Sequence, residues 1–501
     1  MSEDDGHKRV LAAIDAAETP PDMTGSGTHG PAGGDDAEAG EAAPKREPRA
    51  MGYSVERMNE EWAVILLGSK ALVMHERADA PLEDRVRFLS VDAFKVWFKN
   101  RRTEYKKGDD IASTTWADRW LASKDRRQYR GIEFRPGEEG EREDYFNLWR
   151  GFSVEPKRGG SYTIFRDHLF TNVCHGDKAL FAWVFGWFAH IFQRPQERIG
   201  TSLVLRGAMG SGKTKVGEVF GSLIQAHYFM VDDPRYVTGQ FNAHMSSCLL
   251  LQAEEAVWAG DKAAEGRLKG LVTSQYQMIE HKGVDSIRLQ NFVRLIMTSN
   301  EDWVVPAGKD ERRFCVLDVS SAVAQNHAYF REMEKELAAG GREALLQDLL
   351  DYKLDDLNLR EIPKTAALLE QKIRSLDPVE AWWLSRLKDG SPTHELDHWP
   401  ISISRRELIN DFINASEKAG VKRRGFEVEI GMKLRKIAPG IRSKRIALDE
   451  KGKRVWCYML PGLDEAREAF GVAVKQAVDW PGAGDAPDPV VADEAEALRD
   501  G

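Results

Sequence analysis

A short apolar run, Ser202-Leu-Val-Leu, leads into Gly207-Ala-Met-Gly-Ser-Gly-Lys213-Thr214 and then into an amphipathic stretch carrying Val216, Val219, Phe220, Leu223 and Ile224. The pattern is GxxxxGK[ST] in the strand, loop and helix setting that gives it meaning. Glycines let the backbone curl its N–H groups around one anion, and the following helix N-terminus favours the same negative charge. Lys213 reaches the β/γ oxygens of a triphosphate and the Thr214 hydroxyl ligates magnesium. Such a loop demands a buried strand before it and a helix packed back on a sheet after it, so this stretch is committed to an α/β fold. Gly207, Ala208, Met209, Gly210, Ser211, Gly212, Lys213 and Thr214 are the expected binding residues for ATP and Mg2+.

From about Thr201 to Ser321 strand-like and helix-like runs alternate, the pattern of a mostly parallel sheet with helices on its faces. About 40 residues past the loop comes Cys248-Leu-Leu-Leu-Gln-Ala-Glu254-Glu255, an apolar strand ending in two carboxylates. Hydrolysis of a γ-phosphate needs one acid for the magnesium shell and one to orient the attacking water, both at the carboxyl end of a strand beside the loop. Glu254 fits the metal role and Glu255 the water role, although the two could be exchanged, and a solvated Glu pair would read the same in isolation. A third strand, Leu295-Ile-Met, runs into Thr298-Ser299-Asn300, whose amide, at the tip of a strand adjacent to the loop, suits contact with a γ-phosphate or lytic water. Asp310-Glu-Arg312-Arg313-Phe314 then precedes another strand, and an arginine there could stabilise transition-state charge; two loop arginines are also ordinary surface charges. Between the second and third strands, Gln277-Met-Ile-Glu-His281-Lys282-Gly283-Val-Asp-Ser-Ile-Arg288-Leu reads as a hairpin with a basic tip, suited to a phosphate backbone or to solvent.

This order of parts resembles the superfamily 3 helicases, a branch of the AAA+ related ATPases. Glu280-His-Lys-Gly-Val-Asp, Met297-Thr-Ser-Asn-Glu-Asp-Trp-Val-Val-Pro and Asp310-Glu-Arg-Arg-Phe are similar to the helicase half of phage and plasmid primase-helicases. The resemblance is strong over about residues 160 to 330 and weaker over about 55 to 160. It implies ATP hydrolysis at Gly207, Gly212, Lys213, Thr214, Glu254, Glu255 and Asn300, with Arg312 or Arg313 acting across a subunit interface of a homo-hexameric ring. His281 and Lys282 would be its single-strand contacts. Two departures stand out: the acidic motif is Glu-Glu where Asp is common in the first position, and no paired-acid metal motif precedes the ATPase. A primase or polymerase would therefore be a separate protein.

The rest of the chain divides around this core. Residues 1–50 and 471–501 are acidic, Gly/Ala/Pro-rich and expected as disordered tails; they carry −6 and −5 of the overall −9, which leaves the body at about +2. An acidic total therefore does not exclude a polyanionic partner. Residues 51–160 are expected as a small α+β domain, opening with a hairpin at Trp62-Ala-Val-Ile-Leu-Leu, Gly68-Ser69 and Ala71-Leu-Val-Met, followed by a helix over Val91–Arg102. In its later part Arg126-Arg127-Gln128-Tyr129 and Tyr145-Phe-Asn-Leu-Trp mix basic and aromatic residues, which suits either nucleic acid or ordinary packing. The ATPase core is placed at 161–330, opening with a buried helix over Phe165–Arg194, and a helical linker at 331–376.

Residues 377–470 are expected as a winged-helix-like module, although a solvated basic face would read the same. Residues 401–460 hold 15 Lys/Arg against 7 Asp/Glu, with Arg423, Arg424, Lys444 and Arg445 expected on DNA and a wing near Glu450-Lys-Gly-Lys453. Cys174, Cys248, Cys315 and Cys457 are scattered without CxxC spacing, which disfavours a disulfide framework or zinc site. The longest apolar stretch, Ala179 to Phe192, is too short for a bilayer and no secretory signal opens the chain. The expectation is a cytoplasmic ATP-dependent DNA helicase or translocase of a phage, prophage or plasmid replication system, acting on single-stranded or forked DNA. The alternative is an initiator that uses ATP only as an assembly switch. A small-molecule P-loop kinase would not need the Asn, the basic hairpin and the basic C-terminal module together.

Overall fold

The N-terminal hairpin forms as its alternation dictates: β1 (Trp62–Leu67) and β2 (Lys70–Glu76) pair antiparallel, Trp62 opposite His75 and Leu67 opposite Lys70. The computed structural model describes residues 52–77, 80, 85–138, 140, 144–239, 242–255, 262–280, 285–418, 426–447 and 454–481. β3 (Val86–Ser90) joins β2. After it come the two-stranded hairpin β4 (Arg102–Lys107) and β5 (Asp110–Thr115), then β6 (Gln128–Tyr129), which lies parallel to β1, and the short parallel pair β7 (Gly131–Glu133) and β8 (Tyr145–Asn147). The period of two sends Trp62 and Val73 toward a small cluster with Met58, Phe94, Phe98, Ala117 and Trp120. It sends Ala63, Ile65, Leu67, Leu72 and Met74 the other way, into the main core.

The helix expected over Val91–Arg102 stops at Trp97. The Ser90 hydroxyl caps it by accepting from the Ala93 N–H at 3.1 Å, Phe98 turns into the small core, and from Arg102 the alternating residues enter β4. The single helix expected over Phe165–Arg194 is broken. It consists of Thr163–Asp167, a π-helical turn His168–Val173, and Lys178–Gln193. The break falls at His175 and Gly176, both in the left-handed region, after which Asp177 caps the new helix through the Ala179 and Leu180 N–H groups.

The central sheet contains β9 (Ser202–Arg206), β10 (Tyr228–Val231), β11 (Leu250–Glu254), then, past an antiparallel hairpin β12 (Tyr276–Ile279) and β13 (Ile287–Gln290), β14 (Arg294–Ser299) and β15 (Phe314–Asp318). Its order is β10-β11-β14-β9-β15, every pair parallel. Strands covered on both faces need continuous apolar runs, and Leu203–Leu205, Leu249–Leu251 and Leu295–Met297 supply them. The architecture is mixed α/β. Residues 331–376 do more than link: Met333, Leu337, Leu345, Leu346, Leu349 and Leu368 are buried in the same core as the sheet.

The C-terminal part has its own core of Trp382, Trp383, Leu408, Phe412, Ile430, Leu434, Tyr458 and Phe470. Helix Pro378–Asp389 starts with an Asp377/Glu380 capping box. β16 (Ser402–Ser404), helices Arg405–Lys418 and Phe426–Ile437, β17 (Arg442–Ala447) and β18 (Arg454–Met459) follow, and the strands lie antiparallel in the order β16-β18-β17. The tip expected near Glu450–Lys453 lies outside the described residues. So do residues 1–50 and 482–501, but the start of the expected second tail is ordered: helix Leu463–Val474 buries Phe470 and Val474, and Trp480 packs on Phe470 at 6.2 Å. The cysteines are free and buried, and no helix among the described residues is long and apolar enough to cross a membrane.

Candidate functional site

Parallel register gathers the predicted residues at one edge of the sheet. Arg206, the last residue of β9, stands opposite Ser299 of β14, and Thr298 stands opposite Glu254 of β11. The next residues, Gly207, Asn300 and Glu255, therefore emerge together at the carboxyl ends of their strands. The acidic strand and the asparagine strand were both expected beside the loop; β14, which leads to Asn300, is the direct neighbour of β9, and β11 lies one strand further out. Helix Lys213–Ser222 crosses above β14 and β11, so Thr214 still reaches Glu254.

The glycine-rich loop is shaped by positive φ. Gly207 has φ 148°, and a Cβ there would sit 2.7 Å from the Val319 carbonyl. Gly212 has φ 93°, begins the helix, and would clash with the His168 ring at 2.7 Å and with Phe330 at 2.8 Å if it carried a side chain. Lys213 is buried, and its ammonium donates to the Gly207 and Ala208 carbonyls at 2.8 Å each and to Asn300 Oδ1 at 2.9 Å. Burial lowers its pKa, and the nearby Glu255 and Glu254 carboxylates oppose that shift. The Thr214 hydroxyl donates to the Glu254 carboxylate. Ser211 Oγ is buried with no hydrogen-bond partner among the described residues. Ala208, Met209 and Gly210 complete the loop, with Met209 exposed and the Gly210 carbonyl accepting from the Gln325 N–H at 3.1 Å.

Glu255 adopts φ 51°, rare for a residue with a side chain, and such outliers gather where a structure holds a group in place for use. Its N–H donates to the Thr298 carbonyl at 3.0 Å, and its carboxylate accepts from the Asn300 N–H at 2.9 Å and the Ser299 hydroxyl at 3.3 Å. Lys213, Asn300 and Glu255 thus form one hydrogen-bonded chain, and their sequence neighbours Thr214 and Glu254 form a second bonded pair beside it.

Two buried residues support the cluster and were not singled out from sequence. Gln252 of β11 donates to the Thr214 carbonyl at 3.2 Å and accepts from the Tyr228 hydroxyl at 2.8 Å. His168 lies under Gly212 with Nδ1 3.3 Å from the Asn172 amide, and burial pushes its pKa down to about 4. A lone Gln in an apolar strand or a lone His in an aromatic-rich helix carries no motif, so only the fold reveals them.

Arg312 and Arg313 lie at the other end of the sheet. The buried Glu311 carboxylate accepts from both of their N–H groups, at 3.0 and 2.6 Å, and the Arg313 carbonyl accepts from the Ser202 N–H at the start of β9. The length of β9, roughly 16 Å at about 3.3 Å per residue, separates them from the loop of the same chain. With Arg360, Lys364 and the buried Lys372 they line a cleft of about 710 Å³.

The structure describes only two of the six nucleic-acid candidates. His281 and Lys282 lie outside the described residues, although the base of their hairpin is anchored where Ser69 N–H donates to Asp285 at 3.3 Å. Arg423 and Arg424 also lie outside the described residues. Lys444 and Arg445 are exposed on β17, with Arg445 5.2 Å from the Trp456 ring. The basic-aromatic segments near Tyr129 and Phe146 turn inward instead: Arg127 binds Glu76 at 2.9 Å and the Tyr129 hydroxyl at 2.7 Å, and Phe146 is in the core. Among the described residues no group of three or more His, Cys, Asp or Glu is placed to hold a metal.

Residues 205–313, from the end of β9 to the arginine pair, match a family described as a family of unknown function (DUF5906). No curated protein matches the chain. Among solved structures, the apo C-terminal region of NrS-1 is similar in fold, with a TM-score of 0.58 at 16% identity over 81% of this chain and 98% of that one. A second apo form of the same region gives 0.58 at 17% identity over the same shares. The likeness reaches well beyond the central sheet.

Proposed function

We propose that this chain is a P-loop, AAA+ related ATPase of the superfamily 3 kind, working as a DNA helicase or translocase in a phage, prophage or plasmid replication system. The observation that carries the reading is the cluster at the carboxyl edge of the sheet, where Lys213, Thr214, Glu254, Glu255 and Asn300 converge from a loop and two other strands. A solvated pair of glutamates would have no reason to be bonded to the loop threonine and to the asparagine of an intervening strand.

In this reading the loop N–H groups and the Lys213 ammonium bind the β- and γ-phosphates of ATP. Thr214 and Glu254 offer two oxygens within one hydrogen bond of each other, a donor set suited to Mg2+ delivered with the nucleotide, since Mg2+ binds through one or two protein oxygens plus phosphates. The ion would neutralise phosphate charge. Glu255 orients the attacking water and takes its proton, and Asn300 couples that carboxylate to Lys213. Arg312 or Arg313, too far from its own loop, serves the site of the next subunit in a hexameric ring. The hairpin carrying His281 and Lys282 grips one strand, and the C-terminal helices and three-stranded sheet, read here as a winged helix, hold duplex at the fork with the exposed Lys444 and Arg445.

The second reading, an initiator that uses ATP as an assembly switch, is favoured only by the exposed basic strand β17. A forked-substrate assay separates the two: ATP-dependent release of the displaced strand supports the motor, and nucleotide-dependent assembly on duplex without release supports the initiator.

A further inference from the structure

One part of the N-terminal surface carries an array of cations and aromatic rings. The Arg119 guanidinium lies 5.3 Å from the Tyr53 ring and 5.5 Å from that of Tyr105. Tyr53 meets Trp116 edge-on at 6.0 Å, and Trp116 is approached by Arg57 at 5.8 Å and Arg101 at 5.6 Å. Tyr53, Tyr105 and Trp116 are all partly exposed. The neighbouring helix Val91–Trp97 buries Phe94 yet leaves Val96 70% and Trp97 61% exposed. Residues 85–110 hold eight Lys/Arg and four Asp/Glu, a net positive stretch. Lys99, Lys106 and Lys107 are exposed and form no ion pair among the described residues. The small core is already closed by Trp62, Phe94, Phe98 and Trp120, so folding has no use for the exposed Trp97 ring.

We infer that this face docks single-stranded nucleic acid. Bases stack on Trp97, Tyr105 and Trp116, and phosphates meet Lys99, Arg101, Lys106 and Lys107. Every base offers a π-face to such a platform once it is unpaired, whereas a duplex hides those faces. Charge argues against a second copy of the chain as occupant, because a two-fold contact would press this basic patch against itself. The surface is independent of ATP and of the C-terminal module, and it gives residues 52–160 a role: delivering a strand to the ring.

The test uses the full chain without nucleotide. An oligothymidylate carrying 5-iododeoxyuridine is photocrosslinked and the attachment sites are mapped by mass spectrometry. Binding of a fluorescein-labelled oligothymidylate is followed by anisotropy against NaCl for the native chain, Trp97→Ala, and a Lys99→Ala/Lys106→Ala/Lys107→Ala variant. The expected results are crosslinks at Trp97, Tyr105 or Trp116, an affinity loss of about tenfold for Trp97→Ala, and a salt slope smaller by about 2 for the triple variant. Trp97 touches solvent, so circular dichroism should be unchanged. Crosslinks confined to other regions with unaltered affinity and slope would overturn the assignment, and so would an equal loss on duplex DNA. A Trp97→Ala chain whose sedimenting mass falls while its DNA affinity holds would assign the patch to protein contact instead.

Discussion

Lys213 and Asn300, one from the glycine-rich loop and one from the end of β14, are joined by a 2.9 Å hydrogen bond from ammonium to amide oxygen. The main-chain N–H of the same Asn300 donates to Glu255 at 2.9 Å. A phosphate that drew the lysine away would free the amide of Asn300, and a shift of Asn300 would be felt at the carboxylate. In the proposed reading, nucleotide binding and its readout would both run through Asn300.

The two glutamates should separate by function. Glu255→Gln keeps hydrogen bonds to Asn300 and Ser299 but loses the base, so ATP affinity should stay within a few-fold while turnover falls by about a hundredfold or more. Glu254→Gln should raise the Mg2+ concentration needed for half-maximal rate. Steady-state hydrolysis across a Mg2+ titration checks both, and the reverse pattern would exchange the two roles.

The arginine pair predicts complementation. Arg312→Ala or Arg313→Ala, whichever removes the finger, should cut hydrolysis by about a thousandfold. Mixing that inactive variant with inactive Lys213→Ala chains should restore activity, since some interfaces then combine an intact loop with an intact arginine. Mixtures that stay inactive would place the arginines outside the reaction.

Buried histidines set an acid limit on stability. Burial holds His168 and His227 near about 4 and His190 near about 3, so all are neutral in the fold at pH 7. Unfolded, they take protons near 6.5, so between that pH and about 4 the unfolded chain binds more protons and stability falls with pH. The melting temperature should be flat above about pH 7 and should drop progressively below about 6.5. Scanning calorimetry checks this, and equal melting at pH 5 and pH 7.5 would contradict it.

Gln371 ties the segment after Asn300 to the helix preceding the C-terminal part. Its side-chain oxygen accepts from the Val304 and Val305 N–H groups at 2.8 and 3.2 Å, and its nitrogen donates to the Asp302 carbonyl at 2.6 Å. Gln371→Leu orphans these groups and should cost about 3 kcal/mol, at about 1–3 kcal/mol per unsatisfied buried group. Denaturant unfolding measures it, and a loss below about 1 kcal/mol would show that the contact is dispensable.

How much of this was legible follows from what each signal encodes. The loop, the acidic pair and Thr298-Ser299-Asn300 were readable because each is a local run of apolar strand ending in a polar tip. Strand order was not, since nothing in Leu250–Glu254 says that β14 inserts between it and β9. Helix breaks were missed where Gly176 and a left-handed His175 interrupt an otherwise continuous apolar pattern. Gln252 and His168 gain meaning only from the loop above them. The basic-aromatic surface was sought near Tyr129 and Phe146, where tertiary packing turned the rings inward; alternation alone does not say which face meets solvent.

The most direct test is ATP hydrolysis by the native chain and by Lys213→Ala, with and without single-stranded DNA. The account predicts DNA-stimulated hydrolysis by the native chain and loss of both nucleotide binding and turnover in the variant, with unchanged circular dichroism. A Lys213→Ala chain that hydrolyses ATP at the native rate would contradict it.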